Sequence, residues 1–271
     1  MSLLAVPLGL LIGVALGALG GGGSILTVPA LVYVLGQDPR TATTSSLLIV
    51  GITSLIALLP HARAGRVRFV QGLLFGALGT AGSFAGSALS AHVPARVLLT
   101  GFAALMLVVA TLMLRRASGG GSAGSGGLND LTIEPMLTLR PLTCACPRVA
   151  KVLATASAVG LLTGFFGVGG GFALVPALVL ALGYPMPVAV GTSLLVIAVN
   201  SATALAARTG TGDNHLDWAV TATFTAAAIV GSLIGGRITS RANPRHLTRA
   251  FAALLILIAV YTAARSLPAL I

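Results

Sequence analysis

Displaced by about 147 residues, the sequence lies over itself. Gly13 falls on Gly160, Gly17 on Gly164, Gly20 on Gly167, Gly22 on Gly169 and Gly23 on Gly170. Val28-Pro29-Ala30-Leu31-Val32 then falls on Val175-Pro176-Ala177-Leu178-Val179, Gly36 on Gly183, and Ser46-Leu47-Leu48 on Ser193-Leu194-Leu195. After a short slip, Gly82 and Gly86 meet Gly231 and Gly235, and Phe102-Ala103-Ala104-Leu105 meets Phe251-Ala252-Ala253-Leu254. A chain that states one unit twice must fold as two equivalent units, which restricts its architecture more than any single motif does.

The repeated unit is apolar. With 56% hydrophobic and only 8% charged side chains in 271 residues, and a mean hydropathy of +1.02, the chain lacks the polar surface of a soluble globule. It reads as an all-α polytopic protein of the cell (inner or plasma) membrane. The first apolar run has no basic n-region and is followed by many like it, so it reads as a retained segment rather than a signal peptide. The net charge of +11 is scattered between apolar runs with no aromatic-laced basic face, which argues for orientation in a bilayer and against nucleic acid. Cys144 and Cys146, one residue apart, suit neither a structural disulfide nor a complete zinc site and read as ordinary thiols.

Ten apolar segments can be marked, five per unit: about 3–19, 25–35, 41–59, 69–91 and 97–114, then 149–166, 172–182, 188–207, 218–235 and 247–264. Most have the ~17 to 25 residues that cross a bilayer as a helix. The second and the seventh have about eleven, which suits a re-entrant or broken helix. The division expected is a first transmembrane repeat at 1–114, a flexible cytoplasmic linker at 115–148 that opens with Gly and Ser, and a second repeat at 149–271.

Charge then orients the two copies. If each unit crosses an odd net number of times, one set of loops holds Arg63, Arg66, Arg68, Arg115, Arg116, Arg140, Arg148, Lys151, Arg237, Arg241, Arg245 and Arg249, and the other only Arg40, Arg96, Arg208 and Arg265. An even count weakens that split. Since positive loops collect inside, the odd count is preferred, both termini face outward, and the repeats are inverted.

In that arrangement the glycine clusters, Gly20, Gly21, Gly22 and Gly23 before Ser24, and Gly167, Gly169, Gly170 and Gly171, enter from opposite faces and approach each other near the midplane. Contiguous glycines unwind the backbone and expose amide N–H groups at the start of the following half-helix, whose N-terminus carries partial positive charge. Two such ends, with Ser24 adding a hydroxyl, would hold an oxyanion without a fixed basic side chain. Gly13 and Gly17, like Gly82 and Gly86, recur every fourth residue and read as packing glycines. The third segment of each unit opens on hydroxyls, Thr44, Ser45 and Ser46 in one and Thr192 and Ser193 in the other, which can cap a helix or line a substrate site. Asn200, aligned with Thr53, serves either as interhelical glue or as site lining.

All five acids, Asp38, Asp130, Glu134, Asp213 and Asp217, fall in loops or at segment ends, so no carboxylate proton relay is expected. The four histidines, His61, His92, His215 and His246, sit at segment boundaries, where surface roles are expected. No nucleophile with its base, no metal-ligand set and no nucleotide loop is present, so neither an enzyme nor a cofactor is expected.

With the paired GGGGS-x-x-x-VPAL and GVGGGF-x-LVPAL segments, the chain resembles the sulfite exporter TauE/SafE family of inner-membrane proteins. The resemblance covers nearly all of both units and fades in the linker. It implies transport of small sulfur-containing anions, sulfite or an organosulfonate such as sulfoacetate. It also supports site roles for Gly20 to Ser24, Gly167 to Gly171, Pro29, Pro176, Thr43 to Ser46, Thr192 and Ser193. The expectation is therefore a secondary transporter or exporter working by alternating access at a midplane site. A passive anion channel and a non-transporting membrane scaffold or accessory subunit stand as alternatives. A coupling ion (H+ or Na+) and homo-oligomerisation are both compatible with it.

Overall fold

Backbone polar groups in hydrocarbon have no water to bond, so long apolar runs close their hydrogen bonds internally as helices. A computed structural model of the chain describes residues 2–90, 93, 95–118, 146–166, 171–208 and 217–266. Among these residues the regular structure is all helical: α1 Ser2–Leu19, α2 Gly22–Pro29, α3 Pro39–Arg63, α4 Phe69–Ser90, α5 Ala95–Ser118, α6 Cys146–Phe166, α7 Gly171–Leu180, α8 Met186–Arg208, α9 Trp218–Arg241 and α10 Pro244–Ser266. Six of them, α3, α4, α5, α8, α9 and α10, are long and apolar enough to cross a membrane, while Ala5–Leu19, Gly23–Val34 and Val152–Phe166 are shorter apolar stretches. The expected linker lies between α5, which runs on to Ser118, and α6, which begins at Cys146; residues 119–145, with Asp130, Glu134, Arg140 and Cys144, are outside the described residues.

The second element of each unit is short for a stated reason. Pro29 and Pro176 stand inside α2 and α7, where each removes one backbone donor. After Pro29 the chain widens into a five-residue π-helical turn, Ala30–Val34, closed by Leu35 N–H donating to the Ala30 carbonyl at 3.2 Å. Gly36 and Gly183, which coincide in the repeat, then end both elements in the left-handed region, at φ 65° and 73°. The first unit's short element begins at Gly22, inside the glycine cluster and three residues before the position expected from hydropathy.

Helices of one unit pack on helices of the other. A methyl built at Gly13 would strike the Ala228 backbone, at Gly17 the Ser232 backbone and at Gly235 the Val14 carbonyl, so α1 and α9 run side by side in the same direction. Gly82 sits on Gly160 and Leu161, and Gly86 on Leu161 and Phe165, which makes α4 and α6 an equally close parallel pair. By contrast α3 and α8 are antiparallel: Gly51 faces Ser201, 3.1 Å from a methyl at Gly51, and Gly191 faces His61 at 3.2 Å. The packing role expected for Gly13, Gly17, Gly82 and Gly86 is what these contacts show, since only backbone without a Cβ can come so near. The buried side chains Phe102, Met106, Ala110 and Met113 of α5 and Phe251, Leu255 and Ala259 of α10 close the bundle, where those two helices pack together.

Asp217 caps α9 by accepting from the Val220 N–H at 3.2 Å. Asp217→Ala is expected to cost about 1 kcal/mol, visible as a small fall in Tm in detergent.

Candidate functional site

Helix α1 stops where the glycine cluster starts. Gly20 donates its N–H to the Leu16 carbonyl at 2.8 Å and turns to φ 70°, a conformation that a side chain would oppose. The carbonyls that lose helical partners there are taken by other elements. Thr239 of α9 donates its hydroxyl to the Ala18 carbonyl at 2.9 Å, and the His61 ring nitrogen Nε2 lies 3.4 Å from the Gly17 carbonyl. His61 is only 2% exposed, so its expected surface role is corrected. Its position near the end of α3 hid that burial, because α1, α8 and the end of α9 cover that end.

Two residues further on, the glycine segments meet. A methyl at Gly171 would press on Ser24 Oγ, 3.1 Å from Gly21 Cα and 3.0 Å from the Ile197 side chain, which lies midway along α8. Because α2 starts at Gly22 and α7 at Gly171, two helix N-termini converge there. No side chain caps α2: its N-cap, Gly21, makes no side-chain bond. Gly20 faces Ser193, with Val175 Cγ2 at 3.2 Å from a methyl placed there. Gly167, Gly169 and Gly170 lie outside the described residues.

The hydroxyls divide into two sets. Ser24 donates to the Gly21 carbonyl at 2.7 Å, Ser46 to Thr43 at 2.8 Å and Ser193 to Val190 at 2.8 Å. Their protons are thus spent on their own helices, and Ser24 must rotate before it can donate to a ligand. Ser45 and Thr192 bond to other elements. The Thr221 hydroxyl of α9 donates to Ser45 Oγ at 3.3 Å, and the Thr192 oxygen accepts the Arg68 N–H at 3.2 Å, pinning the loop after α3. None of these residues opens its helix as a cap, because α3 begins at Pro39 and α8 at Met186; Thr44 is buried within α3. Beside that loop, outside the spans, half-buried Tyr184 has its phenol pushed above its ordinary pKa by burial, against an opposing pull from the Arg68 charge.

Asn200 stands one turn along α8 from Ile197. Its Oδ1 accepts from Thr80 of α4 at 3.3 Å, and a methyl at Gly79 would lie 3.7 Å from its Nδ2. Thr53, its partner in the repeat, and Ser54 are buried with hydroxyls that have no partner. Asp38 and Asp217, the acids among the described residues, are exposed, and among those residues no three His, Cys, Asp or Glu side chains gather to hold a metal.

Such a bundle, with six apolar helices long enough to cross a membrane, two short glycine-preceded helices and no buried carboxylate among the described residues, defines a multi-pass membrane protein. The chain belongs to the sulfite exporter TauE/SafE family, whose model matches residues 5–262. A probable membrane transporter protein of Xylella fastidiosa (strain Temecula1 / ATCC 700964) is 33% identical over 264 residues, covering 96% of this chain and 94% of that one. The probable membrane transporter protein YunE of Bacillus subtilis (strain 168) is 29% identical over 256 residues, covering 90% and 89%. A probable membrane transporter protein of Methanocaldococcus jannaschii is 23% identical over 262 residues, covering 90% of each. No solved structure matches.

Proposed function

We propose that the chain is a membrane transporter, and specifically a secondary transporter that moves a small sulfur-containing oxyanion, sulfite or an organosulfonate, by alternating access. The single observation that carries this reading is the meeting of Gly21 and Ser24 with Gly171, where two helix N-termini share one place. Their partial positive ends favour an anion, and with no basic side chain at that contact among the described residues binding stays weak enough for release.

The two repeats, residues 1–114 and 149–271, are inverted in this reading. A two-fold axis in the membrane plane makes equivalent helices antiparallel, as α3 and α8 run, and it exchanges the α1 and α9 pair for the α6 and α4 pair. In the closed arrangement Gly21 and Gly171 touch, so the anion enters when one repeat tilts away from the other. The loop charges put both termini outside the cell membrane, with the stretch between the repeats inside. Membership of a transporter family and the names of the relatives support transport over catalysis.

Purified protein in proteoliposomes is expected to show saturable uptake of labelled sulfite, competed by sulfoacetate or sulfate. Conductance that never saturates would favour a channel. No flux of any of the three anions would favour a scaffold or accessory subunit.

A further inference from the structure

One helical turn beyond Gly171, Leu174 forms part of the wall of a cavity that α4, α6 and α8 complete. It has room for about one water molecule, and its polar lining is Ser83, Thr163 and Asn200 among apolar neighbours such as Phe75 and Val159. Thr163 is 8% exposed, and its hydroxyl has no partner. Burying a hydroxyl unpaired in low dielectric is unfavourable, so a bundle that retains one beside a cavity has kept it for an occupant. Ser83 already donates to the Gly160 carbonyl at 3.2 Å and offers the cavity only oxygen lone pairs. Asn200 Oδ1 lies 3.3 Å from the Thr80 hydroxyl, whose shorter bond is to the Gly76 carbonyl at 2.8 Å, and its Nδ2 is on the side of Gly79, another lining residue.

We propose that this cavity is an oxygen-binding subsite for the transported oxyanion, in which the Thr163 hydroxyl and the Asn200 amide donate to one S–O oxygen. This rests on the transport reading above and adds residues and an orientation to it. The size suits one oxygen and no larger group. Leu174 in its wall lies one helical turn from Gly171, and Asn200 one turn from Ile197, so the cavity is the next polar position beyond the glycine contact, and the anion engages it as it moves inward from Gly21 and Gly171.

The subsite is also single. In the repeat relation Asn200 corresponds to Thr53 and Thr163 to Leu16, a buried apolar residue, so the other unit cannot form the same donor pair. A pseudo-symmetric passage therefore holds an asymmetric substrate in one orientation, with an S–O oxygen toward α6.

The test is Thr163→Val, nearly the same shape without the hydroxyl, assayed in proteoliposomes with labelled sulfite. KM is expected to rise about tenfold, the worth of one hydrogen bond to a charged group. Thr163→Ser, which keeps the hydroxyl, is expected to stay near wild type. Should Thr163→Val fail to fold, Asn200→Ala carries the same expectation. If wild type moves sulfite and folded Thr163→Val and Asn200→Ala keep its KM, the subsite is overturned, and a lowered Tm alone would mark a structural water. If wild type moves none of sulfite, sulfate and sulfoacetate, the transport reading fails and the subsite falls with it.

Discussion

Gly13→Leu or Gly160→Leu is expected to leave almost no folded protein in the membrane. At Gly160 a methyl would already lie 2.7 Å from the Gly79 Cα and carbonyl oxygen, and at Gly13 it would run into the Ala228 backbone. In both cases the obstacle is main chain in a facing helix, which no rotamer change can move. Overpacking a core costs ~1 to 3 kcal/mol when side chains can yield, and here whole helices must separate. Their contact is held by close van der Waals packing, since lipid supplies no hydrophobic force between helices. Loss of a monodisperse peak on size exclusion in detergent would show it. Gly101→Ala provides the contrast: its methyl would meet only Phe166 ring carbons at 3.5 and 3.8 Å, an ordinary contact, and the variant is expected to fold.

Gly171→Val is expected to fold and to lose transport. Its side chain would occupy the space between Ser24, Gly21 and Ile197, where the starts of α2 and α7 touch. Those are short helices of eight and ten residues, so strain there is relieved by moving a helix tip rather than by unfolding. A displaced tip cannot close over a substrate, and a fall of at least about 100-fold in sulfite uptake, roughly 2.7 kcal/mol, is expected. Uptake at the wild-type rate in folded Gly171→Val protein would remove the glycine contact from the site. Gly22→Val, at the first residue of α2, tests the opposite wall in the same assay.

Much of this arrangement was legible in residues. The duplication, the short second and seventh segments and the four-residue glycine spacing all follow from pattern, because each has a local physical cause: a proline, a glycine run, or a seam of small side chains. Pairing did not. Nothing in the α1 sequence names α9 as its partner, since Gly13 and Gly17 advertise a close neighbour without identifying it. The burial of His61 is not readable from sequence, because position along a helix sets nearness to the boundary while burial depends on what covers that end. Thr163 is a single hydroxyl in an apolar helix, where most such groups bond their own backbone, so its unpartnered state shows only in three dimensions. The inter-element bonds of Ser45 and Thr192 are hidden for a related reason, since a hydroxyl in a cluster names no partner on another helix or loop.

The exchange of partners has a consequence for how the protein is made. α1 (Ser2–Leu19) leaves the ribosome well before α9 (Trp218–Arg241), yet the groove that fits it is on α9. Until α9 is made, the notch at Gly13 and Gly17 must therefore face lipid or a biogenesis chaperone. Neither half alone contains both sides of either close seam. Two separately expressed halves should thus find each other in the bilayer as subunits do, and what is now a single chain behaves, in its assembly, like a dimer whose protomers were joined end to end.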